Sequence, residues 1–214
     1  LHTIATATLS TVSFATTTTP ADANVDPQTD FIIWENNVTV SNTKAILSSI
    51  RFRQIGSINN ADINNFRFYV DGVQKGTVAS ALDANGYMSF DLSASPVTLA
   101  TGTRVLKVVA DVIGGTSRTA QLSLRNTGDV FVTDFDYGQP ILVQANSTTS
   151  TSRNGGIETI NTGSLSVTKM SDSPSGNITD AGTGVTLAKF QLKAFGERMK
   201  VETLNFNIND NNNE

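Results

Sequence analysis

The side chains with the clearest potential for chemistry are oxygen donors at alternate positions near the amino terminus. Asp22, Asn24, Asp26 and Asp30 have the spacing of a loop that binds a hard cation, because Ca²⁺ prefers carboxylate and carbonyl oxygens. The pattern departs from an EF-hand, since Pro27 stands where the sharp-turn glycine belongs. Asp and Asn also collect wherever a chain turns. We therefore hold calcium as a hypothesis for these four residues and predict no other cofactor.

Residues for nucleophilic or thiol catalysis are nearly missing from the sequence. The 214 residues include no cysteine and one histidine, His2, which has no partner for a Ser-His-acid triad. The glycine motifs that bind phosphates or dinucleotides, and the H-E-x-x-H zinc motif, do not occur. We therefore predict that the chain is not an enzyme.

Composition narrows the partners and the location. The net charge of −4 and the pI near 5.0 oppose nucleic-acid binding, which requires clustered Lys and Arg. No stretch approaches the roughly 18 consecutive apolar residues of a membrane span. Thr, Ser and Asn make up roughly a third of the chain, and Lys and Glu are few. This balance is typical of secreted surface proteins, so we expect an extracellular location.

A second candidate surface is basic. Arg51, Arg53 and Arg67, together with Tyr69, would form an exposed cationic and aromatic stripe if their strands pair. Such a stripe could bind an acidic glycan, a cell-envelope polymer or a partner subunit. The alternative is that outward charges prevent edge-to-edge aggregation of sheets. Trp34, the only tryptophan, lies in an apolar run, which predicts burial in the core and disfavours an exposed sugar-stacking platform.

The elements that must position these side chains are strands. Ile50 and Phe52 alternate with charged residues, and the same period of two recurs along the chain. Asp71-Gly72 is a strong hairpin-turn signal, and the apolar run 105–112 reads as a central strand. No window of helical length carries an apolar stripe of helical period. Strands 8 to 14 residues apart without helices between them predict an all-β antiparallel sandwich.

The pattern of the first strands recurs after a stretch rich in Ser, Thr and Gly. At an offset of about 154 residues the apolar positions stay in register, although two alternating strands can also resemble each other by chance. The matched pairs include Val38 with Leu192, Ile50 with Leu204, and Phe52 with Phe206. The predicted organisation is a strand or linker end at 1–8, a complete unit at 9–145, a linker at 146–163, and the first strands of a truncated second unit at 164–214. Both chain ends are expected to be cut from something longer.

The second unit has three strand-like segments, 165–170, 185–195 and 199–208. Three strands can present an apolar face but cannot cover it alone. Either the rest of the unit is missing, or the face packs on the first unit or on another molecule. We predict head-to-tail association with copies of the chain. The interface residues would be Val185, Leu187, Phe190, Leu192, Val201, Leu204 and Phe206.

Three runs carry a family resemblance. The runs 57–72 (SINNADINNFRFYVDG) and 102–112 (GTRVLKVVADV) resemble repeated immunoglobulin-like β-sandwich domains of secreted bacterial and archaeal surface proteins, including surface-layer and adhesin-like chains. The run 189–201 (KFQLKAFGERMKV) is similar to the opening of the next repeat in such proteins. The likeness covers about two-thirds of the chain and its motifs are structural. It implies an immunoglobulin-like fold and a surface location, and it carries over no catalytic residue.

These observations predict an extracellular structural segment of a surface layer, a filament or an adhesive stalk. It would associate through sheet faces or by addition of a strand at an exposed edge. The first alternative is a carbohydrate- or receptor-binding adhesin module, in which the loops at the tip of the sandwich carry the function. The second alternative is an accessory domain of a secreted glycan-active enzyme.

Overall fold

The computed structural model describes residues 8–145, 152–176, 183–195 and 199–207. Over these residues the chain is built from strands and one single-turn 3-10 helix, Thr127–Asp129, so the predicted all-β class is confirmed. The strands are β1 (Thr11–Thr19), β2 (Ala23–Val25), β3 (Phe31–Ser41), β4 (Ala45–Gln54), β5 (Ile63–Val70), β6 (Val73–Ala79), β7 (Tyr87–Asp91), β8 (Val97–Leu99), β9 (Gly102–Val112), β10 (Thr119–Ala120), β11 (Leu122–Leu124), β12 (Val130–Asp134), β13 (Pro140–Ile141), β14 (Gln144–Ala145), β15 (Arg153–Asn154), β16 (Glu158–Ile160), β17 (Ser164–Lys169) and β18 (Phe190–Phe195).

Two large sheets organise residues up to 154. The first has the order β14-β1-β3-β9-β5-β6, in which the apolar strand β9 lies between β3 and β5, as its sequence predicts. The second is built around β4, which pairs with β12 and β11 along one edge and with β7 and β8 along the other. The pairings are antiparallel except for β1 with β14 and, in a small third sheet, β2 with β16.

The core lies between the two large sheets, because alternate side chains of each strand point to the same side. The rings of Trp34 on β3 and Phe52 on β4 meet edge to face with centroids 4.8 Å apart. The rings of Phe68 on β5 and Phe90 on β7 stack with centroids 5.4 Å apart. Trp34 is fully buried, as its apolar run predicts. The arrangement is that of a β-sandwich.

The predicted hairpin turn between β5 and β6 is present. Asp71 has φ of 49° and Gly72 has φ of 80°, which is the left-handed region that a tight two-residue hairpin requires. The Asp71 carboxylate also accepts a hydrogen bond from the backbone N–H of Val105 at 2.8 Å, and it pairs with Arg104. The turn is thereby fixed against the central strand β9.

Strand pairing continues further along the chain than the predicted end at residue 145. Residues 153–161, here called the closing segment, pair with earlier strands where the sequence predicts a linker. Its strand β15 pairs with β11, and β16 lies between β10 and β2. Gly155 and Gly156, which suggest a flexible linker, instead allow close packing: a Cβ on Gly156 would lie 2.6 Å from the carbonyl oxygen of Pro20.

We expect Gly156→Ala to destabilise the protein by about 1–3 kcal/mol, because the added methyl group would push the closing segment away from the backbone at Pro20. Gly128→Ala is the matched control, since a Cβ there meets nothing within 4 Å. Urea denaturation followed by circular dichroism measures both. Equal stability of the two variants would mean that the closing segment is not tightly docked.

The described residues after the closing segment include a hairpin and a stretch, 199–207, without helix or strand. β17 pairs with β18 in antiparallel register, and β17 corresponds to the predicted strand 165–170. The prediction of a strand at 185–195 is confirmed in part, since β18 occupies its second half, from Phe190. The predicted strand at 199–208 is wrong over the described residues 199–207, which contain no strand. A period of two marks residues that could form a strand, but a strand requires a neighbour to complete its hydrogen bonds.

Candidate interaction surface

The face of the β17–β18 hairpin is apolar and exposed. Leu165 lies directly opposite Ala194, and Val167 lies directly opposite Leu192. The side chains of Leu165, Val167 and Leu192 are 41%, 56% and 38% exposed. Two strands have only one partner each, so they cannot bury this face between themselves.

The segment 199–207 extends the same surface and forms a groove with the hairpin. The rings of Phe190 and Phe206 lie with centroids 6.1 Å apart and planes tilted by 34°. Leu187, Phe190, Leu192 and Phe206 are the large apolar side chains that line a groove of about 610 Å³. Large apolar side chains in a concave surface are typical of binding sites.

All seven residues that the sequence predicts as an interface are exposed: Val185, Leu187, Phe190, Leu192, Val201, Leu204 and Phe206. A charged pair lies beside them, since Lys189 Nζ is 2.9 Å from Asp172 Oδ2. Apolar side chains with charged neighbours have the composition of an interface centre with its rim.

The carboxylates among the four predicted calcium ligands each have a partner within the protein. Asp22 accepts a hydrogen bond from the backbone N–H of Ile157, and Asp26 accepts one from the side chain of Asn161. Asp30 instead pairs with Arg67, 3.2 Å away. Within the described ranges no three His, Asp or Glu side chains lie close enough to hold a metal ion. Asp22 and Asp26 hold the closing segment against the strand β2.

The predicted basic stripe does not form either. Arg51 and Arg53 lie on β4, whereas Arg67 and Tyr69 lie on β5 in the other large sheet. The prediction required β4 and β5 to pair, but a hairpin turn joins β5 to β6 and the other edge of β5 is taken by β9. Arg67 pairs with Asp111 and Asp30 on the outer face of its own sheet.

The two arginines of β4 form a smaller cluster around one aromatic ring. The guanidinium groups of Arg51 and Arg53 lie 4.8 and 5.4 Å from the centre of the Tyr87 ring, within the range of cation–π contacts. Arg51 also pairs with the buried carboxylate of Asp129 at 2.6 Å, which raises the pKa of the guanidinium through a direct hydrogen bond. The cluster anchors the 3-10 turn to the sheet.

Two buried carboxylates, Asp134 and Glu158, lie outside the site residues that the sequence predicts. Asp134 accepts hydrogen bonds from the backbone of Ser10, Asp136 and Tyr137 and from the hydroxyl of Thr43. The hydrogen bond from Ser10 is the main reason that the pKa of Asp134 lies well below its usual range. The sequence signal for the burial of Asp134 is its alternation with Val130 and Val132. This alternation places all three residues on the inward face of β12.

Glu158 differs from Asp134 because no hydrogen bond among the described residues stabilises its carboxylate. Its side chain is fully buried, and neither carboxylate oxygen has a hydrogen-bond partner in the described part of the chain. Burial, and after it the charge of Asp22, raise the pKa of Glu158 to about 7. The sequence signal is its place two residues before Ile160, on the same inward face of β16.

The comparisons with known proteins supply no family name: no protein-family model matches the sequence, and no curated protein matches it significantly. In the described residues, no helix has both the length and the hydropathy to cross a lipid bilayer.

Proposed function

We propose that the chain is a segment of a non-enzymatic extracellular structural protein made of repeated β-sandwich units. It associates with copies of itself through the apolar face of residues 164–207. The observation that carries the proposal is a difference in burial between matched positions. Val38, Ile50 and Phe52 are fully buried in the first unit, whereas Leu192, Leu204 and Phe206, 154 residues further on, are 38%, 51% and 68% exposed.

The pairing of the strands supports the repeat when β1 is matched to β17 at an offset of 153 residues, one fewer than the offset between β3 and β18. In the first unit β1 and β3 place Val12 opposite Val40 and Phe14 opposite Val38, and all four side chains are buried. In the hairpin of β17 and β18, Leu165 lies opposite Ala194 and Val167 opposite Leu192. The antiparallel pair of β1 and β3 thus has its apolar face buried in the core, whereas the apolar face of β17 and β18 is exposed.

An exposed apolar face of this kind favours association with a partner that covers it. Burying apolar surface contributes about 25 cal/mol per Å², so a partner that covers the face stabilises both molecules. A head-to-tail contact between like units propagates into a fibre or lattice when its rotation does not close into a ring. The low charge, the abundance of Thr, Ser and Asn, and the resemblance to secreted surface domains support an extracellular setting.

We expect Leu192→Lys to weaken self-association at least about 30-fold, because it places a charge in the centre of the apolar face. Leu142→Lys is the matched control, since Leu142 is equally apolar, 67% exposed, and outside this face. Sedimentation velocity over a range of concentrations measures the effect, and electron microscopy shows whether ordered polymers form. A wild-type protein that stays a dispersed monomer and does not bind the dye ANS would refute the proposal and favour an adhesin module.

A further inference from the structure

The buried carboxyl group of Glu158 lies in the middle of the small three-stranded sheet. Its residue pairs with Ala120 on β10 and with Ala23 on β2, so its immediate neighbours across the sheet are small and apolar. The side chain has no exposed surface, and the two oxygens are unpartnered among the described residues. An ionised carboxylate in such a place loses its hydration and gains nothing in exchange.

No cation on the surrounding elements compensates the charge of Glu158 in the described structure. On the β2 side stand Asp22 and Asp26, of which Asp22 repels a second negative charge. Arg118, next to β10, and Arg153, in the closing segment, donate their hydrogen bonds to backbone carbonyl groups. The neutral carboxylic acid is therefore the form of Glu158 that the docked closing segment accommodates.

We propose that protonation of Glu158 controls the docking of the closing segment onto the sandwich. When the acid is neutral, the segment lies in place between β10 and β2. When the acid ionises, release of β16 lets the carboxylate reach water, and the docked state loses population. The segment can respond because its strands are short: β15 has two residues and β16 has three.

The protein contains its own reporter of docking. Trp34, the only tryptophan, donates a hydrogen bond from its indole Nε1 to the carbonyl oxygen of Arg153 at 3.1 Å. Three amides of the segment are also fixed in the docked state: Gly155 N–H donates to Leu122, Ile157 N–H to Asp22, and Ile160 N–H to Arg118. Tryptophan emission and hydrogen exchange at these amides thus report the same event.

The test compares the wild type with Glu158→Gln from about pH 5 to about pH 8.5. In the wild type, we expect the protection factors of the three amides to fall on the order of 100-fold across this range, and Trp34 emission to shift to the red. In Glu158→Gln both quantities stay constant, because the amide side chain does not titrate. Glu202→Gln, at an exposed glutamate, is the matched control and keeps the wild-type profile.

A second variant keeps the test decisive if Glu158→Gln fails to fold. Asp22→Asn retains an oxygen that accepts the Ile157 N–H but removes the like charge, so the pH dependence should become smaller. The proposal is overturned if wild-type protection of the three amides does not change with pH. It is equally overturned if Glu158→Gln shows the same pH profile as the wild type.

Discussion

Phe52→Ala is expected to lower the free energy of unfolding by about 3–5 kcal/mol, whereas the matched change Phe206→Ala should leave it nearly unchanged. Phe52 is fully buried and packs edge to face on Trp34, so its removal leaves a cavity in the core. Phe206 occupies the corresponding place in the second pattern but is 68% exposed. Urea denaturation followed by circular dichroism measures the stability of both variants.

In an assay of self-association, Phe206→Ala should have a larger effect than Phe52→Ala, which is the reverse of their ranking in stability. Phe206→Ala removes an aromatic side chain from the apolar groove, so sedimentation velocity should show weaker self-association than in the wild type. Phe52→Ala leaves that groove intact, and where the variant remains folded it should associate normally. If Phe206→Ala destabilises the fold as much as Phe52→Ala, the face of residues 164–207 is covered within the molecule.

Local patterns predict much of the sandwich correctly. Alternation in residues 45–53 corresponds to β4, and the uninterrupted apolar run 105–112 lies within the central strand β9. Asp71-Gly72 forms the expected hairpin because few other residue pairs adopt two successive left-handed conformations without strain. These features depend on residues close in sequence, so the sequence alone is sufficient to locate them.

The errors concern partners that are distant in sequence. The sequence pattern places Arg67 with Arg53, but which strands pair depends on the whole topology, and Arg67 pairs with Asp111 instead. Gly155 and Gly156 have the composition of a linker, yet glycine is equally suited to places where two backbones approach closely. The carboxylate of Glu158 carried no local sign of its missing hydrogen bonds, because those depend on three strands brought together by the fold.

Asp134→Asn is expected to lower the melting temperature by roughly 5 to 10 °C at neutral pH. Each carboxylate oxygen of Asp134 accepts two hydrogen bonds, with Ser10 and Thr43 on Oδ2. An amide replaces one of these oxygens by a donor, which leaves buried N–H or O–H groups without an acceptor. The start of β1, the β3–β4 turn and the β12–β13 turn would lose their common anchor.

The pH dependence distinguishes this anchoring role from simple loss of packing. Because the folded-state pKa of Asp134 is depressed, its contribution is fully present above the unfolded pKa of about 3.9 and is lost as the pH falls below it. The difference in melting temperature between wild type and Asp134→Asn should therefore narrow below about pH 4. Asp136→Asn, at an exposed carboxylate in the same turn, is the control and should match the wild type. A difference that stays constant down to about pH 2 would show that the Asp134 carboxylate is not held ionised by these hydrogen bonds.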